Sequence, residues 1–264
     1  MLNEMGYTVK GNLRACLYLD LYETLDKVQV NIYKVTSDIK VAHDYKNELH
    51  VLSKAAIEYK SKNLLGTGYT DSEGNFLIDI CDSYKEGEIE IDLVIKDKQP
   101  SKQKFKPIHF TAKRLMPVWR SNNETKEYSW NYSFSLQFWS QVRKQFDIWT
   151  IVGSVKSIED RKIPVEGVLV SAMDVDWIKD DFLGSALSDS KGRFRIDYKS
   201  IDYKQTYLSP LISIETPISS IPGPGVYFKI STSEGILLYE ENRAMGKTQE
   251  RKNISRCFNI DLYI

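Results

Sequence analysis

The strongest constraint on this chain is that it repeats itself. LLGTGYTDSEGNFLIDI at 64–80 returns, lightly edited, as FLGSALSDSKGRFRIDY at 182–198. Leu65, Gly66, Asp71, Ser72, Gly74, Phe76, Ile78 and Asp79 recur as Leu183, Gly184, Asp189, Ser190, Gly192, Phe194, Ile196 and Asp197. Upstream, YTVKGNL (7–13) echoes WTIVGSV (149–155). Downstream, YSFSLQF (132–138) resembles CFNIDL (257–262) more weakly, with Phe134 opposite Phe258. Self-similarity on this scale indicates two copies of one structural unit. A chain of 264 residues with 42% hydrophobic content holds enough for two cores. The expected division is 1–139, a short linker at 140–148, and 149–264.

Most of the chain reads as strands. TVKGNLRACLYL, KVQVNIYKV, NFLIDI and IEIDLVIK are short, β-rich and separated by turn residues. The second half supplies WTIVGSV, GVLVSAM, GRFRIDY, GVYFKIS, GILLYEE and CFNIDLYI. In the repeated phrase, Asp71 or Asp189 opens a tight turn, and Gly74 or Gly192 takes a left-handed position. From Tyr128 to Phe138 apolar and polar residues alternate, which predicts one long half-buried strand. The linker SQVRKQFDIW has no Gly or Pro, so that strand is expected to run nearly straight into the next unit as a semi-rigid joint. The copies also differ in length. Gly11 and Leu65 are 54 positions apart, whereas Gly153 and Leu183 are 30 apart. The extra residues include 43–62, where Tyr45, Leu49, Leu52, Ala56 and Tyr59 recur at helical spacing. This predicts an amphipathic helix inserted in the first copy, covering an open sheet edge or the joint between domains, or else docking onto another subunit.

Charge and cysteines narrow the function classes. Lys plus Arg equals Asp plus Glu at 36 each, and each half is neutral on its own. A nucleic-acid module ordinarily carries a net basic footprint, so the balance argues against that class. Cys16, Cys81 and Cys257 are widely spaced and odd in number, which argues against a disulfide framework and for reduced, buried thiols. The N-terminal MLNEMGYTVKG lacks the basic and apolar regions of a Sec signal, and no apolar run approaches a membrane span. The expected setting is the cytoplasm, or a particle exported without a Sec signal.

The Gly-containing first strand, the V-x-V or V-L-V strand, and L-G-x-x-x-[TS]-D-x-x-G-x-F-x-I together resemble transthyretin-like, carboxypeptidase-regulatory-like β-sandwich domains. VEGVLVSAMDVDWIKDDFLGSALSDSKGRFRIDY is the better match, and is similar to domains of bacterial toxin-complex and injection-associated proteins. The resemblance implies an all-β fold of two tandem seven-stranded-type sandwiches, the first with an inserted helix. It does not imply a reaction, because this fold hosts many functions. Related intradiol dioxygenases hold iron with two Tyr and two His, yet His43, His50 and His109 all lie in the first copy. Hydroxyisourate hydrolases need His and Arg positions and a Tyr-Arg-Gly-Ser ending, whereas this chain ends NIDLYI. Pilin-type relatives join a first-strand Lys to a last-strand Asn. Lys10 has the first position, but Val152 stands there in the second copy.

Several constellations remain as candidate sites. Asp174, Asp176, Asp180 and Asp181 could hold calcium through oxygen ligands, but without the glycine-centred loop of an EF-hand. Otherwise they form a solvated or Lys179-paired loop. His43, Asn47 and His50 would share a helical face able to hold a metal, or only a solvated one. The segment 96–114 carries a local charge of +6, including Lys102, Lys104 and Lys106. It suits an anionic surface or nucleic acid, or else a plain solvated loop. The proline-rich 208–228 presents Leu211, Ile212, Ile214, Ile218 and Ile221, either as a docking patch or folded over the core. No nucleophile with a positioned base is marked by spacing. The expectation is a non-enzymatic structural or protein–protein interaction module without cofactor, with protein partners in a larger bacterial or virus-like assembly, and able to oligomerise. The alternative is a ligand-binding module for carbohydrate or calcium, using Trp119, Trp139, Trp177 or the acidic loop.

Overall fold

The computed structural model describes residues 6–35, 45–97, 104–122, 125–176, 180–200 and 222–264. The fold is all-β, with 17 strands and two α-helices among the described residues. The chain divides into two compact units, Met1–Val142 and Arg143–Ile264.

The first unit is organised by β1 (Gly6–Tyr18). Its first half lies between antiparallel β5 (Asn75–Ile80) and parallel β9 (Thr125–Ser129). β8 (Arg120–Asn122) pairs with β9. The second half of β1 lies between antiparallel β2 (Leu21–Thr24) and parallel β10 (Tyr132–Phe134). The facing sheet is wholly antiparallel, in the order β4 (Leu64–Tyr69), β3 (Gln29–Lys34), β6 (Ile89–Ile95), β7 (Ile108–Leu115). Alternation along these strands turns Val9, Val30, Ile32, Phe76, Ile78, Ile91, Leu93 and Phe110 into the core.

The second unit reproduces this plan. β11 (Ile148–Lys156) lies between antiparallel β14 (Arg193–Lys199) and parallel β17 (Cys257–Tyr263). The other sheet runs β13 (Asp181–Leu187), β12 (Leu169–Asp174), β15 (Val226–Ser231), β16 (Leu237–Glu240). Ile151, Phe194 and Ile196 from one sheet and Val170, Ala172, Phe228 and Ile230 from the other share one buried cluster. That is a β-sandwich.

Register corrects the downstream part of the repeat. Val9 pairs with Tyr128, and Ile151 with Phe258, so Phe258 answers to Tyr128 and not to Phe134. The long strand expected over 128–138 is broken as well. β9 ends at Ser129, β10 is three residues long, and α2 (Leu136–Gln145) follows, running through the expected linker. Ser135 starts the helix: its hydroxyl accepts from Phe138 N at 3.2 Å and its carbonyl from Trp139 N at 2.9 Å. Phe134, Phe138 and Val142 are buried at intervals of four, so helical periodicity overrides the period-two alternation that those same residues also satisfy.

The inserted helix is shorter than expected. α1 spans Lys54–Ser61, capped by Ser53 and with no buried residue. Residues 36–44, and so His43, lie outside the described residues. Asn47 and His50 both precede α1, so these two do not share a helical face. Instead the segment before the helix is extended. Val51 bridges to Phe110, and Leu52 N donates to His109 O at 2.7 Å. The sheet edge at β7 is therefore covered by this strand-like stretch. Gln141 holds the stretch in place, accepting from Leu49 N and donating to Asn47 O at 2.7 Å.

Candidate functional site

The repeated residues are accounted for by the fold. Asp71 Oδ1 accepts from Glu73 N and Asn75 N at 2.9 and 2.8 Å, and Asp189 Oδ1 accepts from Lys191 N and Arg193 N at the same distances. Those amides hold the exposed Asp71 carboxyl below the usual carboxylate range. Gly74 and Gly192 close the turns at φ +80° and +71°, where a side chain would also strike the first strand's carbonyl at Leu13 or Val155. A Cβ on Gly11 or Gly153 would lie within 2 Å of the carbonyl oxygen of Trp130 or Ile260. Thr8 and Thr150 donate to Asp79 and Asp197 at 2.9 and 3.0 Å. Thr70 Oγ1 accepts from Val28 N, and Ser188 Oγ from Val168 N. The motif is scaffold, so functional residues must be sought where the copies differ.

One difference is a charged layer on the outer face of the first unit's four-stranded sheet. Asp92 on β6 is fully buried. Its Oδ1 accepts from Lys60 Nζ at 2.6 Å, and its Oδ2 lies 3.0 Å from His109 Nε2. Lys60 reaches back from α1, also meeting Glu90 at 2.9 Å and donating to Thr111 Oγ1 at 3.0 Å. Burial, and then the Asp92 charge, push the neighbouring Tyr33 phenol up to about 12. Lys60 thus lies between the carboxylates of Asp92 and Glu90. The layer clamps the insertion onto the sheet.

In the acidic hairpin of the second unit, the Asp174 and Asp180 side chains are internally paired. Asp174 and Asp181 are cross-strand neighbours on β12 and β13. Asp174 is buried and accepts from Gly225 N at 2.8 Å; desolvation raises its carboxyl to about 6. Asp180 binds Arg243 Nε through both oxygens at 2.8 Å and accepts from Tyr227 Oη at 2.8 Å. Arg243 holds the Asp180 carboxyl below its usual range, whereas burial, followed by Asp180, pushes Tyr227 up to about 12. Asp176 donates its backbone amide to Asp180 Oδ1 at 3.2 Å. The partner of the acidic loop is therefore Arg243; Lys179 lies outside the described residues. Among the described residues no three His, Cys, Asp or Glu side chains converge as metal ligands.

The remaining sequence candidates are scattered. Lys104 and Lys106 are exposed ahead of β7. Lys102, Trp177, Leu211, Ile212, Ile214, Ile218 and Ile221 lie outside the described residues. Trp139 is buried, its indole donating to Glu23 at 2.5 Å, so it is no exposed stacking platform. Trp119 is half-buried against Tyr7, Tyr84 and Tyr128. Lys10 meets Glu127 on β9 at 2.6 Å, an ion pair between neighbouring strands β1 and β9. The three cysteines are free, but Cys81 is exposed and the other two half-buried, contrary to the expected burial. An open groove of about 520 Å³ runs past Lys10, Asn12, Tyr69, Asn75, Leu77 and Asn131. Its Asn12 amide is already bonded to Glu73 O and Asn75 Oδ1 at 2.8 and 2.9 Å.

Sequence reading placed β16 as a strand but missed its exposed apolar edge. Leu237, Leu238 and Tyr239 are 55, 49 and 40% exposed on the last strand of their sheet, and Ile236 just before it is 66% exposed. The signal was present in GILLYE, an apolar run free of the alternation that marks a strand with one wet face.

No family model matches the chain, and no curated protein does. Among solved structures, the shaft pilin SpaA from Lactobacillus rhamnosus GG is 10% identical, with a TM-score of 0.28 over 98% of this chain and 96% of that one. A streptococcal ancillary pilin is 12% identical, with a TM-score of 0.26 over 90% of this chain and 55% of that one. A 9R-lipoxygenase from Cyanothece PCC8801 is 14% identical, with a TM-score of 0.27; the match covers 53% of this chain and spans only 18% of that protein. Overlap at this level does not separate one β-rich fold from another, and neither fold nor function rests on it.

Proposed function

We propose that this chain is a non-enzymatic structural or protein–protein interaction module, built from two tandem transthyretin-like sandwiches and serving as a subunit or accessory of a larger bacterial or virus-like assembly. One observation carries the reading: the residues shared by the two copies are spent on the scaffold, while an apolar edge strand of the second unit stands exposed. The titratable clusters fit the same reading. Lys60, Asp92 and His109 satisfy one another, as do Asp180, Arg243 and Tyr227, and Arg251 with Glu241 at 3.0 Å. An enzyme needs such groups turned toward a substrate. Among the described residues no helix is long and apolar enough to cross a membrane.

The test is the mass of the native complex drawn from its own cells, with mass spectrometry of co-purifying chains. A large defined assembly with constant companions is expected. A lone 30.5 kDa chain would overturn the proposal.

A further inference from the structure

We infer that β16 is a self-pairing edge, which adds antiparallel to the β16 of a second copy of this chain. The inference rests on the interaction role proposed above and names its surface and partner.

The two units have equivalent positions in their four-stranded sheets. Gly66 lies opposite Ile32, and Gly184 opposite Ala172. Following those registers outward, Asp92 answers to Lys229 and Phe110 to Tyr239. In the first unit the strand carrying Phe110 is covered by Val51 and Leu52 from the insertion. The second unit is shorter at that point of the chain and has no matching insertion. Among the described residues nothing pairs with the outer edge of β16.

Edges left open are ordinarily blunted by Lys, by Pro or by a bulge. β16 has neither Lys nor Pro. It has a one-residue register shift, which leaves Leu238 extra between Leu237 and Tyr239. That shift does not forbid pairing, because β7 has one at Ala112 and still accepts Val51.

The chemistry of the edge selects a second copy over a charged partner. Glu240 is neutralised by Lys229 at 2.8 Å, and the buried Glu241 by Arg251. The edge therefore offers apolar side chains and backbone groups, with no free charge for an acidic or basic peptide to read. The chain's formal charge is zero, so two copies approach without net repulsion. About a two-fold axis at Leu238, Leu237 of each copy meets Tyr239 of the other, and the patch is its own complement. A strand this short buries less than the roughly 1,200–2,000 Å² of a stable interface, so the dimer is reversible.

The test is sedimentation equilibrium of the full chain from micromolar to millimolar concentration, with Leu238→Lys and the control Phe182→Lys. Phe182 is 56% exposed on the opposite edge strand, β13. The expected mass rises from 30.5 kDa toward twice that value. Leu238→Lys sets two lysines against each other and weakens association roughly tenfold or more, at unchanged circular dichroism. Phe182→Lys leaves association as it was. Should Leu238→Lys fail to fold, Leu238→Thr keeps strand propensity and must weaken association in the same direction. A monomer at every concentration overturns the inference, as does a dimer insensitive to Leu238 or equally sensitive to Phe182. A monomer that still co-purifies with other proteins sinks self-pairing and leaves the interaction role standing.

Discussion

The two units share a frame and differ in what covers it. In the first, residues 49–52 lie along the β7 edge, and Lys60 binds the sheet face behind them. In the second, the equivalent edge is apolar and exposed, and the equivalent of buried Asp92 is the surface Lys229. The frame is held by backbone-level demands, such as glycines with no room for a methyl group. The covers are held by side chains particular to each copy. Duplicated sandwiches therefore diverge at their edges and faces, while the turn and strand residues that make them sandwiches stay alike.

The comparison breaks first if the frame is not shared. Gly11→Ala and Gly153→Ala should each cost more than about 4 kcal/mol, because the new carbon falls on the carbonyl of Trp130 or of Ile260. Denaturant unfolding measures this, and a mild effect in one unit alone would refute the equivalence. Next in size is the difference in cover. Asp92→Ala leaves the buried His109 and the half-buried Lys60 without their shared carboxylate and should cost about 3–5 kcal/mol. At the equivalent position Lys229→Ala, in a partly exposed pair with Glu240, should cost less than about 1 kcal/mol.

The smallest effect concerns pH. The Asp174 carboxyl is raised from 3.8 to about 6 in the folded state, chiefly by desolvation. A raised carboxyl favours the fold while protonated. Its contribution is fully present below the unfolded value and is lost as pH rises through about 6. Asp174→Asn retains an acceptor for Gly225 N and should raise the melting temperature at pH 8 by a few degrees, about 1–2 kcal/mol, with little gain at pH 4. Equal gains at both values would remove desolvation as the cause.

Much of the frame was legible because its residues have single uses. Asp71, Gly74, Asp189 and Gly192 specify a turn wherever they stand in that order, and the first-strand Gly marks a close backbone approach. The covers were less legible because their signals are ambiguous. Phe134 and Phe138 satisfy both period two and period four, and only the hydrogen bonds at Ser135 decide for a helix. Tyr45, Leu49 and Leu52 have helical spacing, yet Leu52 gains a strand partner at His109 that the local sequence does not reveal. The Lys60–Asp92–His109 cluster joins residues from the insertion and two strands, and no short motif encodes it. The acidic loop was visible, but its partner Arg243 lies 63 residues beyond Asp180.

Amide hydrogen exchange read at β7 and β16, at low and high protein concentration, tests the central claim most directly. Amides of 108–112 should be protected at every concentration, because the chain covers its own edge there. The amides of Leu238 and Glu240, which alternation turns away from β15, should exchange fast when dilute and become protected as concentration rises. Protection of these two that is the same at both concentrations, or fast exchange at both, would contradict it.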